Sequence, residues 1–223
     1  GAGSRFADAG YKDPKPLIPV HDRTMIQVVI ENLTPSIPHR FIFICQKAHI
    51  EAHGLRSKLS TWAPNCAIIE IDGITEGAAC TVLAAKALIN NDCPLMIANS
   101  DQFVDININD YLGALRNSDW EGLIMTMRAN DPKWSYVGLD KNSLVTHVVE
   151  KKVISEEATV GIYNFRHGYS FVRSAEEMIA KDERVNGEFY VAPTFNSLIF
   201  NGIKCASRIY NSSTFLQQFK ASF

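Results

Sequence analysis

The sequence predicts an α/β fold built on a mainly parallel sheet, and the order of its apolar and helical segments supports this. Short apolar runs at 40–46, 66–72 and 94–101 are typical of buried strands. Stretches at 25–33 and 76–90 have the composition and the apolar spacing of helices. Strands that alternate with helices at this spacing pair in parallel, and the helices cover both faces of the sheet.

The pattern of the second half of the chain predicts antiparallel strands added to this sheet. Its strand-like runs follow one another closely, at 122–129, 135–140, 144–151 and 158–165. They are followed by predicted helices near 169–181 and 190–200 and by a strand at 203–209. The chain contains no internal repeat and no convincing linker, so we expect residues 1–223 to form a single domain.

Composition excludes some classes of partner. The chain has 223 residues, enough to bury one full-sized core, and a net charge of -2. This charge balance argues against a nucleic-acid partner. No apolar run approaches the roughly 18 residues of a membrane span, so we expect no membrane partner. The five cysteines form no CxxC pair and favour buried free thiols in a reducing cytoplasm.

The opening segment GAGSRFADAGYKDPKPLIPV, residues 1–20, has the features of a phosphate-binding loop. Gly1 and Gly3 lack a Cβ atom, so their backbone N–H groups can approach an anion closely. Arg5 offers a planar guanidinium, and Lys15 offers a point charge on a segment stiffened by two prolines. The alternative is a flexible N-terminal arm, but such arms rarely carry this ordered mixture of residues.

A second candidate segment is NSDQ, in which Asp101 follows a predicted buried strand. Ligands of open α/β sheets bind beyond the C-terminal ends of the strands. A carboxylate at this position is well placed to hold Mg²⁺ on the phosphates of a nucleotide. The alternative role for Asp101 is that of a turn or helix cap.

Taken in order, these segments resemble the sugar-phosphate nucleotidyltransferase family, whose opening pattern is roughly GxGxR followed by PKPLxPV. The likeness continues through TMIQVVIENL, TEGAACTVLAAKALI, NSDQ, VVEK, VGIYNF and NGEFYVAPTFNSLIFNG and covers nearly the whole chain. It implies a Rossmann-like nucleotide-binding fold related to that of GT-A glycosyltransferases. In this family a short apolar strand precedes the Gly loop, so we expect the chain as given to lack its first N-terminal strand.

The resemblance also implies an activity and a cofactor. A sugar 1-phosphate attacks the α-phosphorus of a nucleoside triphosphate, which yields a nucleoside-diphosphate sugar and pyrophosphate, with Mg²⁺ as the cofactor. A role in the synthesis of surface polysaccharide is the implied context. The nucleotide base, the sugar and the oligomeric state stay open, a homo-oligomer included.

Individual residues receive roles from the same resemblance. The implied catalytic residues are Arg5, Lys15 and Asp101. The implied nucleotide-binding residues are Gly1, Ala2, Gly3, Ser4, Gly77 and Ala78. The implied substrate-binding residues are Glu150, Lys151, Gly161 and Glu188. The implied metal ligands are Asp101 and Asn196, with Glu188 or phosphates and water as alternatives to Asn196.

Two departures from the family pattern keep other functions open. The segment NGEFYVAPTFN has no Asp to serve as a second metal ligand, and HDRT replaces a turn that usually contains Gly. A GT-A glycosyltransferase is one rival, although NSDQ lacks the first Asp of its DxD motif. A non-catalytic nucleotide-sensing module and an enzyme that accepts an alcohol phosphate or phosphocholine are the others.

Overall fold

The computed structural model describes residues 14–210 and the backbone of 215–216. These residues fall into two compact units. Unit 1 comprises 14–75, 99–109 and 215–216, and unit 2 comprises 76–98 and 110–210. The prediction of one domain over 1–223 stays a prediction, and the predicted Gly loop lies outside the described residues.

The helices and strands follow in chain order: β1 (Pro19–Val20), β2 (Arg23–Thr24), α1 (Met25–Leu33), β3 (Ile42–Gln46), α2 (Lys47–His53), α3 (Leu55–Trp62), β4 (Ala67–Ile71), α4 (Ala78–Leu83), α5 (Lys86–Ile89), β5 (Leu95–Ala98), β6 (Phe103–Val104), α6 (Ile108–Arg116), β7 (Gly122–Arg128), β8 (Ser135–Leu139), β9 (Val145–Glu150), β10 (Glu157–Phe165), α7 (Gly168–Ala180), α8 (Phe195–Phe200), β11 (Cys205–Tyr210) and β12 (Phe215–Leu216). Short 3-10 turns occupy Lys15–Leu17 and Ala192–Thr194.

In unit 1 the predicted parallel pairing is present. Strands β3 and β4 are parallel, with Ile44 opposite Ile69. The first two residues of HDRT form the turn of the small antiparallel hairpin β1–β2 and the last two form β2, and His21 adopts a left-handed φ of 56° where a glycine is usual. Helix α1 buries an apolar stripe at helical spacing, as its sequence predicts: Met25, Ile26, Val28, Val29, Ile30 and Leu33.

In unit 2 a six-stranded mixed sheet has the order β11-β7-β10-β8-β9, and β5 also pairs with β10. Strand β11 is parallel to β7, while β10 is antiparallel to β5, β7 and β8, and β8 is antiparallel to β9. Helices α7 and α8 pack in this unit around Phe165, Phe171 and Phe195, whose rings lie 4.5–5.5 Å apart between centroids. The α/β class and the antiparallel addition are therefore confirmed.

Three helices, α2, α3 and α6, and four short strands, β1, β2, β6 and β12, were not predicted. Helices α2, α3 and α6 follow apolar runs too closely for the periodicity to separate them. The predicted helix 76–90 is interrupted, because α4 ends at Leu83 and α5 begins at Lys86. In the part of the chain that the structure describes, no helix combines the length and the apolar character that a membrane crossing requires.

The five cysteines are free, as the sequence predicts, but they are not uniformly buried. Cys205 is buried, and burial raises its pKa to about 12. Burial likewise raises the pKa of Cys45 to about 11. Cys93 is exposed, which corrects the expectation of burial for that residue because it lies in the turn before β5.

Candidate functional site

Two of the predicted catalytic residues meet in unit 1. The ammonium group of Lys15 forms an ion pair with the carboxylate of Asp101. Their side chains are 19% and 26% exposed, so both charges are partly sheltered and still accessible to a ligand. Pairs of this kind can neutralise phosphate charge with the cation and hold a divalent metal with the carboxylate.

The position of Lys15 follows from local sequence. Pro14, with φ of -55°, precedes the 3-10 turn Lys15–Leu17, and Leu17 N–H donates to the Pro14 carbonyl over 2.8 Å. Met25 N–H donates to the Ile18 carbonyl over 3.0 Å, which ties the end of this segment to the start of α1. The two prolines and these bonds restrict the backbone that carries the Lys15 side chain.

A second group of predicted residues lies in unit 2, around the end of β9. Glu150 is 9% exposed and accepts a hydrogen bond from the hydroxyl of Ser135, its partner in register on β8. Burial raises the pKa of the Glu150 carboxyl, while the Ser135 hydrogen bond and the charge of Lys151 oppose the shift. The nearby Glu188 carboxylate raises this pKa further.

Lys151 and Glu188 converge on Tyr190. The Lys151 ammonium lies 5.2 Å from the centroid of the Tyr190 ring, a cation–π distance. Burial raises the pKa of the Tyr190 hydroxyl, a hydrogen bond with Lys151 lowers it and one with Glu188 raises it. Lys151 has a left-handed φ of 54°, so the chain turns sharply directly after Glu150. Two carboxylates, one ammonium and one hydroxyl thus form a polar group suited to sugar hydroxyls and a phosphate.

Gly161 lies in an irregularity of β10. The register with β7 shifts between Thr159 and Tyr163, and Gly161 has φ of 80°. This bulge brings the hydroxyls of Thr159 and Tyr163 to 3.0 Å. Burial raises the pKa of Tyr163 to about 12, so its hydroxyl keeps its proton near the Glu150 carboxyl.

Gly77 has a structural reason to be glycine. Its φ is 130°, and a Cβ atom would lie 2.4 Å from the Phe189 carbonyl oxygen. Phe189 N–H donates to the Glu76 carbonyl over 2.8 Å, and Ala79 N–H donates to the Phe189 carbonyl over 3.0 Å. The structure therefore brings Gly77 and Ala78 beside the segment that carries Glu188, while their contact with a nucleoside stays a prediction.

Arg184 connects the segment that carries Glu188 to the residue before Gly77. Its guanidinium donates to Asp182 and to Glu76, both over 2.5 Å, and to the Gly187 carbonyl over 3.1 Å. It also stacks 4.1 Å from the centroid of the Phe189 ring. Sequence reasoning missed Arg184, Ser135, Tyr163 and Tyr190, because only the strand register and the 185–188 hairpin bring them to Glu150 and Glu188.

Asn196 has both amide groups engaged. Its Oδ1 accepts a hydrogen bond from Val148 N–H over 2.7 Å, and its Nδ2 donates to the Val148 carbonyl over 2.9 Å. This geometry does not favour the predicted metal role, because the oxygen that would bind the ion already has a donor. The predicted residues Gly1, Ala2, Gly3, Ser4 and Arg5 lie outside the described residues.

The donor set is compatible with Mg²⁺ held largely by a substrate. Within residues 14–210, no group of three or more His, Cys, Asp or Glu side chains could hold a metal ion by itself. Mg²⁺ is commonly bound by one or two carboxylates together with substrate phosphates and water. Asp101 fits that mode because it offers a single carboxylate on a side chain that is 26% exposed.

Solved structures define the class of protein that has this fold. A nucleoside-diphosphate-sugar pyrophosphorylase from Vibrio cholerae RC9 superposes with a TM-score of 0.79 at 23% identity, over 97% of this chain and 91% of that one. A UDP-glucose pyrophosphorylase bound to UDP-glucose gives a TM-score of 0.72 at 14% identity, over 93% and 87%. The inositol-1-phosphate CTP transferase from T. maritima gives 0.70 at 10% identity, over 95% and 83%. The fold is thus that of sugar-nucleotide pyrophosphorylases and related transferases.

The chain belongs to the nucleotidyl transferase family, whose model matches residues 1–190. This match confirms the resemblance that the opening loop and the later motifs indicate. A comparison with curated protein sequences finds no match.

Proposed function

We propose that the protein transfers a nucleotidyl group from a nucleoside triphosphate to a sugar 1-phosphate, with release of pyrophosphate. The observation that carries this proposal is the Lys15–Asp101 ion pair in a chain of the nucleotidyl transferase family. The pair supports the proposal because it joins one cation and one carboxylate, the two residues to which the family resemblance gives roles at the triphosphate and the metal.

The proposed chemistry is a displacement at phosphorus without a covalent enzyme intermediate. An oxygen of the sugar phosphate forms a bond to the α-phosphorus, the bond from that phosphorus to the bridging oxygen breaks, and pyrophosphate leaves with the electron pair. Lys15 stabilises the negative charge that develops at the α-phosphate. We expect the Gly1–Ser4 backbone and Arg5 to hold the outer phosphates.

Asp101 would hold the Mg²⁺ ion in this reaction, together with phosphate oxygens and water. When bound, the ion neutralises phosphate charge and orients the triphosphate. Lys15 is the ion-pair partner of the Asp101 carboxylate and holds it in place.

The residues at the end of β9 are the proposed acceptor site. Glu150 and Glu188 accept hydrogen bonds from sugar hydroxyls, and Lys151 contacts the phosphate. Tyr190 supports this role, because its ring centroid lies 5.2 Å from the Lys151 ammonium. The proposal includes a cytoplasmic reaction that supplies activated sugar for polysaccharide synthesis, in line with the free thiols of the chain.

The test is pyrophosphate release with four triphosphates (CTP, UTP, dTTP and GTP) against a panel of sugar 1-phosphates and alcohol phosphates, with and without Mg²⁺. We expect release that needs one triphosphate, one sugar phosphate and the metal. Release with an alcohol phosphate alone would reassign the acceptor. Triphosphate binding without release from any pair would overturn the transferase and favour a sensing module.

A further inference from the structure

We propose that Asn196 is a positioning residue that holds the acceptor end of β9, and that it is not a metal ligand. Its side-chain amide takes the place of a neighbouring strand at the edge of the unit 2 sheet. The proposal rests on the proposed function for its kinetic part, whereas its structural part stands by itself.

The contact has the form of a β-ladder with a single residue on one side. Val148 N–H donates to the Asn196 amide oxygen over 2.7 Å, and the Asn196 amide nitrogen donates to the Val148 carbonyl over 2.9 Å. An amide side chain is suited to this because it carries a donor and an acceptor side by side. Asn196 is fixed in turn by its helix, since Phe195 and Leu198 of α8 are 0% and 5% exposed.

Val148 needs such a partner because β9 is at the end of the sheet order. Among the described strands, β9 forms a ladder with β8, and its outer edge faces α8. Unpaired backbone groups at a buried edge are costly, and an edge strand without partners frays. The Asn196 amide therefore provides hydrogen-bond partners for the backbone of Val148, in the middle of the outer edge of β9.

The position of Val148 determines where Glu150 points. Residues two apart on a strand face the same side, and both Val148 and Glu150 are buried, with 3% and 9% exposure. Lys151 then leaves the strand, with its N–H donating to the Trp134 carbonyl over 3.0 Å. Holding Val148 thus holds the strand end that presents Glu150 and Lys151.

Unit 1 contains the same arrangement of an Asn amide and a strand residue at a second place. Asn32 of α1 donates through Nδ2 to the Val104 carbonyl over 2.7 Å and accepts from Val104 N–H over 2.9 Å. The paired strand there is β6, and like β9 it lies close in sequence to a predicted site residue, in this case Asp101.

The first experiment is amide hydrogen exchange on the full chain without ligands, for wild type, Asn196→Ala, Asn196→Asp and Asn201→Ala. Asn201 is the matched control, because its amide donates to a carbonyl of the same helix, that of Ser197, over 2.8 Å. We expect the Lys151 amide to exchange on the order of tenfold faster in both Asn196 variants, the Val148 amide to do so in Asn196→Ala, and both amides to exchange as in wild type in the control. Unchanged exchange at Lys151 in the Asn196 variants would overturn the proposal.

The Asn196→Asp variant separates the two roles of this residue. A carboxylate accepts from Val148 N–H but cannot donate to the Val148 carbonyl, so the strand role predicts a loosened strand end at Lys151 in Asn196→Asp although the Val148 amide keeps its acceptor. A metal role predicts instead that Asn196→Asp binds Mg²⁺ at least as well as wild type, because a carboxylate is the better Mg²⁺ ligand.

The second experiment measures steady-state pyrophosphate release with the substrates that the panel identifies. We expect the KM for the sugar phosphate to rise on the order of tenfold in both Asn196 variants, with the KM for the triphosphate and the half-saturating Mg²⁺ concentration unchanged. Wild-type behaviour of Asn196→Asp, with a raised Mg²⁺ requirement in Asn196→Ala, would overturn the proposal. If wild type releases no pyrophosphate, the proposed function fails, and the exchange result still decides the assignment of Asn196.

Discussion

Lys15 and Asp101, which lie on segments far apart in the sequence, form an ion pair in unit 1. Lys15 precedes α1 and Asp101 precedes β6, and Asn32 of α1 bonds the backbone of Val104 in β6. The same helix-to-strand contact that closes this part of unit 1 therefore brings the two charges together. Both side chains remain partly exposed, as a ligand-binding pair requires.

We predict that Lys15→Ala and Asp101→Ala each lower kcat by on the order of 10²–10³-fold. In the proposed mechanism, Lys15 supplies charge at the reacting phosphate and Asp101 supplies the carboxylate that holds the metal. Steady-state pyrophosphate release measures the effect, and circular dichroism checks that the variants are folded.

The control for this pair is Lys204→Ala. Lys204 pairs with Asp119 over 2.5 Å at an exposed place in unit 2, and exposed pairs contribute little. We expect wild-type turnover for the control. Turnover near wild type in both Lys15→Ala and Asp101→Ala would contradict the proposed function.

Gly77→Ala should destabilise the protein by on the order of 1–3 kcal/mol. The added Cβ would meet the backbone of Phe189 at 2.4 Å, and φ at Gly77 is 130°. Gly202→Ala is the matched control, because Gly202 has φ of 74° but open space around its Cβ position. Urea unfolding measures both variants, and an equal loss in the two would mean that the contact with Phe189 costs nothing.

Glu150 predicts a dependence of stability on pH. Burial raises its pKa in the folded state, so the folded protein binds this proton more tightly than the unfolded chain does. The resulting stabilisation is complete below the unfolded pKa, roughly 4.3, and is lost as pH rises through the folded value. Glu150→Gln has no carboxyl to titrate at this position. The Tm of Glu150→Gln should therefore increase relative to the Tm of wild type as pH rises from about 4 towards neutrality.

Ser135→Ala provides a second measurement of the same effect. The Ser135 hydroxyl lowers the pKa of Glu150 by hydrogen bonding to the ionised carboxylate. Its removal should therefore raise that pKa and move the loss of stability to higher pH. A Tm difference between Glu150→Gln and wild type that does not change with pH would contradict the assignment.

Arg184→Lys should raise the KM for the sugar phosphate and lower Tm, because an ammonium cannot replace the guanidinium fork. Arg184 binds Asp182, Glu76 and the Gly187 carbonyl at once, and so fixes the hairpin that carries Glu188. Arg173→Lys is the control, since Arg173 makes one exposed contact with Glu177 over 3.2 Å. Equal KM values for the two variants would mean that Arg184 does not position the acceptor site.

Much of the fold could be predicted from periodicity and from turn residues. The helix Met25–Leu33 agrees with the sequence prediction at both ends, because its apolar stripe is continuous and Thr24 precedes it in extended backbone. The ends of the unit 2 strands were predicted to within three residues, since β-branched and aromatic residues are concentrated there. Helices α2 and α3 were missed because Lys47 follows Gln46 of β3 directly and polar residues obscure their spacing.

The candidate site was predicted in part. The order of the motifs predicted five of the site residues: Lys15, Asp101, Glu150, Lys151 and Glu188. In the structure Lys15 and Asp101 form one group, and the other three form a second. No local pattern marks Tyr190 or Arg184 as partners of these residues. Asn196 was expected near a metal because an amide oxygen is a plausible ligand, but its hydrogen bonds go to Val148.

The sequence by itself determined the α/β class, the family and the identity of the charged residues, since these depend on residue types, their spacing and their order. Tertiary structure decided the pairing of those residues, because a hydrogen bond or an ion pair between distant segments depends on strand register and helix packing. Ser135 meets Glu150 only through the β8–β9 register, and Asn196 meets Val148 only because α8 packs on the edge of β9.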